Sequence, residues 1–256
     1  MPRPTTRRDH PPLPGVTLVP GGAEVCVYAG HADAVDVCLF DPDDRTGHSE
    51  RRVALTDRLY GYWFGFVPGM GLGQRYGLRA KGPWVPHAGL RYNPAKLLMD
   101  PYARALEGGL TWTGEVFGHR TSPDLTVEDL HQPDDRDSAA YVPRSVVVSD
   151  RFDWGRDRPP RHALSDTVIY ETHVRNLTMR LPGVPPELRG TYAGLAHPVT
   201  NDYLRSLGIT AVELLPVHSF VTEPEVWRRG LTNHWGYNTL GFFAPHARYA
   251  ASQDPQ

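Results

Sequence analysis

Two runs, TVIYETHV (Thr167–Val174) and LGITAVELLPVHSF (Leu207–Phe220), decide how this chain is read. VIYETHV is a nearly continuous apolar strand, the composition expected when both faces of a strand are covered. A loop, LPGVPPELRGTYAGLAHP, follows it, and VTNDYLRSLG then makes a short helix. Gly208 stops that helix, because glycine accepts the left-handed geometry of a helix end. ITAVELLPV is the second buried strand. Strand, helix, parallel strand is a βαβ unit, and its crossover must be right-handed. The segment NHWGYNTLGFFAP, Asn233–Pro245, leads toward a third strand.

Working back toward the N-terminus, the period of the pattern changes to two. AEVCVYA, AVDVCLF, YGYWFGFV and RYGLRA, between Ala23 and Ala80, are short alternating or aromatic-rich runs separated by turn-formers such as DPDD and PGMG. That spacing predicts an antiparallel β-sandwich. Cys26 and Cys38 sit on two neighbouring predicted strands and are read as reduced, buried thiols. From Lys81 to Asp166 the chain is rich in Pro, Gly, Asp and Arg. Its one helical piece is expected at RYNPAKLLMDPYARAL, and the rest reads as an ordered connector laid across a neighbouring domain. Residues 1–14 are proline-rich and polar, a frayed lead-in.

Composition narrows the classes. In 256 residues, 40% hydrophobic and 22% charged, a formal charge of −2 gives no electrostatic case for nucleic acid or an anionic membrane as partner. No secretory signal stands at the N-terminus and no apolar run approaches the ~18 to 20 residues of a membrane span. The expected location is cytoplasmic.

Glycoside hydrolysis needs two carboxyl groups facing each other across the scissile bond. Glu171 and Glu213 lie inside the two strands of the βαβ unit and read as structural carboxylates, buried against an arginine or a backbone amide. Asp202 is placed in the first turn of its helix, where it complements the dipole. His173, His218 and His234 gather at the ends of the same three segments. None has the close spacing of a metal pair, so sugar-hydroxyl contact or packing is the reading, with no metal and no cofactor. Aromatics carry more. A sugar ring offers a C–H face to Trp or Tyr while polar neighbours fix its hydroxyls. Trp235 and Tyr237 flank Gly236 among Asn233, His234 and Asn238, which suits a glucan contact. Trp63 and Tyr60 could form a second platform on the sandwich, although packing is the favoured role for that aromatic strand.

Taken together, RYGLRAKGPW, GLRYNPAKLLMDPYARAL, VIYETHVRNLT, PPELRGTYAGLAHP, LGITAVELLPVHSF and NHWGYNTLGFFAPHARYA resemble bacterial glycogen debranching enzymes of the isoamylase type, in the α-amylase superfamily. The resemblance runs from about Pro14 to Gln256. It implies a glycogen-binding-like β-sandwich followed by a catalytic (β/α)₈ barrel, and places Tyr237 at the subsite holding the sugar of the cleaved bond. The family reaction is hydrolysis of α-1,6 branch linkages in glycogen or limit dextrin with retention. Its nucleophilic aspartate, acid/base glutamate and third aspartate come from later strands, and none has a match here.

The expectation is therefore a multi-domain β plus α/β chain. A lead-in occupies 1–14, a sandwich 15–110, a connector 111–166, and the first units of an incomplete (β/α)₈ TIM barrel 167–256. A whole barrel takes about 250 residues, so the isolated chain is expected to be catalytically silent, with α-glucan as its partner. Substrate contacts are assigned to Tyr237, Trp235, His234, Asn233 and His218, with Trp63 and Tyr60 as the possible platform. The alternatives are an isoamylase, pullulanase or trehalohydrolase of the same layout, or a non-catalytic glucan-binding protein.

Overall fold

The computed structural model describes residues 9–44 and 46–252. The first part of the expected lead-in, residues 1–8, lies outside the described residues. The chain divides into two compact units, Met1–Val148 and Ser149–Gln256.

The first unit holds β1 (Gly15–Val19), β2 (Gly22–Tyr28), β3 (Ala34–Phe40), β4 (Arg51–Ala54), β5 (Asp57–Leu59), β6 (Tyr62–Pro68) and β7 (Arg75–Lys81). The short strands β8 (Trp84–Val85), β9 (Leu90–Arg91), β10 (Leu106–Glu107), β11 (His119–Thr121), β12 (Val127–Pro133) and β13 (Arg144–Val146) complete it. Two antiparallel sheets form, ordered β1-β2-β6-β5 and β10-β13-β7-β3-β4. Alternation along the strands sends Ala23, Val25, Val27 and Val67 from one sheet, and Val35, Val37, Leu39, Tyr76, Leu78 and Ala80 from the other, into one buried cluster. This is the sandwich core that a period of two implies.

The five-stranded sheet is covered on its other face too. Cys38 and Phe40 are buried there with Leu97 and Ala139. Gly77 has no side chain because Leu97 lies over it; a Cβ would come within 2.6 Å of the Leu97 Cδ1. The guanidinium of Arg79, 1% exposed, donates to Glu50, to Asp137 and to the carbonyls of Pro94 and Ala95. It thereby fastens the covering segment to β7. Residues 111–148, read as connector, thus belong with the first unit, and β13 is a strand of its second sheet.

The helix expected at RYNPAKLLMDPYARAL is not formed. Asn93 Oδ1 accepts from the Ala95 N–H, and Asp100 Oδ1 from the Tyr102 N–H. Leu98 instead exchanges both backbone hydrogen bonds with Leu78 at 2.7 and 2.8 Å. Backbone groups satisfied locally and across to β7 have no need of the helical pattern. The two cysteines are buried and form no disulfide, but they are not neighbours in a sheet. Strands β2 and β3 belong to different sheets, and each thiol alternates away from the shared core. Burial pushes the Cys38 thiol up to about 12, with the nearby Glu50 carboxylate adding to the effect.

The second unit contains β14 (Ile169–Thr172), α1 (Val174–Met179), α2 (Tyr192–Leu195), α3 (Pro198–Ser206), β15 (Ala211–Leu214), β16 (His218–Phe220), α4 (Pro224–Arg228) and β17 (Thr239–Pro245). Strands β14 and β15 pair in parallel, Ile169 opposite Ala211 through Thr172 opposite Leu214. Helix α3 ends as the sequence implies: Gly208, at φ 76°, donates to the Arg205 carbonyl, and Ile209 to that of Leu204. Strands β16 and β17 form an antiparallel pair. Val174, Phe220 and Tyr249 are the buried centre, packed by Tyr192, Leu195, Leu214 and Val217.

Three expectations in this unit need correction. Asp202 is the fifth residue of α3, which has no acidic residue in its first turn. Glu171 and Glu213 are exposed rather than buried, and face each other in register on the parallel pair. Alternation explains this. Tyr170 and Thr172 of β14 line a cavity of about 340 Å³ against Asn176, Leu177 and Tyr203 of α1 and α3, so Ile169 and Glu171 fall on the opposite face. Ile169 and Val212 are also exposed, so strands composed for burial on both sides are covered incompletely here. No described helix is long and apolar enough to cross a membrane.

Candidate functional site

The segment between α4 and β17 folds into a loop that closes on itself. Asn233 is its knot: its N–H donates to Thr222 Oγ1 at 3.1 Å, its amide nitrogen to Glu223 Oε1 at 3.1 Å, and its Oδ1 accepts from the Gly236 N–H at 2.8 Å. Val221 N–H donates to the Asn238 carbonyl at the neck. Gly236 sits at φ 81°, a backbone region L-residues rarely enter, and a Cβ there would meet Phe220 and Pro216 at 3.0 Å. The chain therefore turns sharply between two large aromatics and throws both outward. Trp235 is 55% exposed and Tyr237 73% exposed.

Beneath the loop lies His173, 3% exposed, at the junction of β14 and α1. Its Nδ1 accepts from the Arg175 N–H at 3.1 Å and caps the helix. Nδ1 therefore carries no proton in the neutral ring, and the proton sits on Nε2. Nε2 donates to the main-chain carbonyl of His234 at 2.9 Å and lies 3.0 Å from the Tyr249 hydroxyl. The His173 ring stacks on the His234 ring and meets Trp235 edge-on, with centroids 6.4 Å apart. Burial lowers the pKa of His173, and the charges of His234 and Arg175 act in the same direction, although the His234 carbonyl opposes them. His173 is held as a neutral donor.

The structure thus joins Asn233, His234 and Trp235 in one framework, with Tyr237 projecting from the same turn. His218 is exposed on β16 and its nearest aromatic partner is Phe242, at 6.0 Å between centroids. Trp63 packs against the sandwich core, donates its Nε1–H to the Ala29 carbonyl at 3.1 Å, and carries Arg58 above its ring. Tyr60 is 76% exposed in the β5–β6 turn, where it and Gly61 both have positive φ, at 52° and 85°. No described contact joins Trp63 to Tyr60. Among the described residues no group of three or more His, Cys, Asp or Glu could hold a metal ion. His173 as a cap, Tyr249 below it and Glu223 beside Asn233 escaped the sequence reading. The only local signal was a histidine directly before a helix start.

An exposed Trp–Gly–Tyr turn on a polar, prepaid frame suits stacking on neutral rings whose hydroxyls need partners. Residues 14–103 match Carbohydrate-binding module 48 (Isoamylase N-terminal domain). The chain is 44% identical over 247 residues to the glycogen debranching enzyme of Cronobacter sakazakii, covering 96% of this chain and 35% of that protein. It is 45% identical over 240 residues to that of Salmonella paratyphi B, covering 94% and 34%. Among solved structures, pullulanase type I from Bacillus subtilis str. 168 complexed with maltose superposes with a TM-score of 0.64 at 24% identity, over 96% of this chain and 30% of that one. At that identity the likeness is one of fold. The chain spans about a third of the length of the curated relatives it matches.

Proposed function

We propose that this homologue of bacterial glycogen debranching enzymes is the α-glucan-engaging front part of a glycoside hydrolase acting on α-1,6 branch linkages of glycogen or limit dextrin. The observation that carries the reading is the likeness to those enzymes along nearly the whole chain, together with a module of a carbohydrate-binding family at 14–103. In this reading the sandwich and its covering segment form the module, and β14–α3–β15 opens a (β/α)₈ barrel. The incompletely covered faces of Ile169, Glu171 and Val212 favour continuation by further strands. A retaining mechanism needs a nucleophilic carboxylate and an acid/base carboxyl about 5 Å apart. We assign neither to this chain, so it binds glucan without cleaving it.

Within the turn, Trp235 and Tyr237 supply ring faces, and Asn233 and His234 supply the polar frame. The test is a titration of the 256-residue chain with maltotetraose, followed by calorimetry, alongside Trp235→Ala and Tyr237→Ala. Binding that both substitutions abolish supports the reading. Binding that survives both moves the glucan contact elsewhere, and release of reducing ends from a branched dextrin overturns the non-cleaving assignment.

A further inference from the structure

We propose that His173 is a positioning residue for the Trp235–Tyr237 turn, tying its main chain to the end of the first parallel strand; the glucan half of the inference rests on the function proposed above. Among the described residues, the hydrogen bonds of Asn233 through Asn238 otherwise close on Val221, Thr222 and Glu223 or within the loop itself. Such bonds hold the turn to the segment that follows β16, and none of them reaches β14 or α1. The Nε2–H of His173 is the polar tie from the turn to the β14–α1 junction, spanning 61 residues of sequence to the His234 carbonyl.

Both ends of that tie are fixed. Nδ1 accepts from Arg175 N–H, which locks the imidazole to the start of α1 and hence to Thr172 at the end of β14. Tyr249 meets the ring edge-on, 5.4 Å between centroids, with its hydroxyl against Nε2. The acceptor is the carbonyl of the residue immediately before Trp235, so displacement of that peptide swings the indole directly. A site that must meet a sugar ring within a fraction of an ångström needs supports of this kind, with the supporting group itself locked.

The two nitrogens of His173 can be tested separately. His173→Asn places a side-chain oxygen near the position of Nδ1, keeping an acceptor for the helix cap, but its amide stops short of the His234 carbonyl. His173→Gln extends an amide donor to the position of Nε2. The readouts are the indole N–H resonance of Trp235, assigned with Trp235→Phe and followed without sugar, and a maltotetraose titration. The proposal expects Asn to displace the indole resonance and weaken binding about tenfold, a loss of ~1.4 kcal/mol. Gln should restore both to near wild-type values.

An indole resonance unchanged in His173→Asn overturns the proposal, as does one that Gln fails to restore. Should far-UV circular dichroism show the Asn variant unfolded, the Gln variant decides, since a displaced resonance there is equally fatal. Failure of the wild-type chain to bind maltotetraose sinks the glucan reading alone, because the indole resonance still reports whether His173 places the turn.

Discussion

The imidazoles of His173 and His234 are stacked, with ring centroids 4.5 Å apart and planes 9° from parallel, while the hydrogen bond between these residues runs to the His234 main chain. Ring and carbonyl of one residue are therefore engaged by the same neighbour. They do different work: the carbonyl fixes the backbone, and the ring contributes packing.

Separating these roles gives the first prediction. His234→Ala keeps the carbonyl and loses only the stacked ring, at a cost of about 1 kcal/mol. His173→Ala removes the helix cap and the donor and leaves a cavity, and is expected to cost about 2 to 4 kcal/mol. Urea denaturation of both variants checks the ranking. Equal losses would show that the ring, and not the carbonyl bond, carries the coupling.

His246 makes the second unit sensitive to acid. It stacks on Phe220 with centroids 3.7 Å apart, and burial, aided by the charge of Arg248, lowers its pKa to about 4. The unfolded chain takes up a proton on this residue near pH 6.5, while the folded chain refuses it until about pH 4. Stability from this group is therefore complete above 6.5 and declines as pH falls toward 4, by at most about 3 kcal/mol. The lowered pKa of His173 acts with the same sign. Denaturation midpoints measured from about pH 7 to 5 should fall in the wild type and fall less in His246→Asn. Parallel pH slopes would refute the assignment.

How much of this was legible beforehand depended on the range of the interactions. Alternation along AEVCVYA, AVDVCLF, YGYWFGFV and RYGLRA is a local property, and each run is a strand of the sandwich. The βαβ pairing and the Gly208 stop rest on similarly local signals. RYNPAKLLMDPYARAL misled because its helical periodicity competes with a distant partner, the free edge groups of Leu78. The attachment of residues 111–148 was hidden for the same reason, since Arg79 reaches Asp137 across 58 residues of sequence. At the site, Trp235 and Tyr237 declared themselves through their polar setting. His173 reads from sequence only as a sugar contact or packing residue, since its Nε2 ties to His234 and Tyr249 are contacts 61 and 76 residues away.

Gly236 offers a third prediction. Its φ of 81° excludes most side chains, and a methyl group would press on Phe220 and Pro216 at 3.0 Å. Gly236→Ala should destabilise the chain by about 1 to 3 kcal/mol and weaken maltotetraose binding, because Trp235 and Tyr237 lose their common turn. Gly230, at φ 69° with open space around its Cβ position, is the matched control. Gly230→Ala carries the backbone strain without the clash, so its effect on binding should be small. Equal effects on binding would show that strain alone, and not the seat against Phe220, governs the turn.

The last prediction concerns the segment fastened over β7. Arg79 is almost fully buried and its partners differ in exposure: the Glu50 side chain is 10% exposed and that of Asp137 59%. A buried carboxylate stripped of its partner is costly, whereas an exposed one is solvated by water. Arg79→Met removes the donors to Glu50 and to the Pro94 and Ala95 carbonyls together, and should cost about 3 to 5 kcal/mol. Asp137→Asn should cost under about 1 kcal/mol. Arg52 still reaches Glu50, so the charge left behind by Arg79→Met is not wholly abandoned. If the tie is what holds residues 94–97 on the sheet, Arg79→Met should also speed amide exchange at Leu98, whose N–H donates to Leu78. Protection at Leu98 equal to wild type would show that Leu97 packing on Gly77 holds the segment without the arginine.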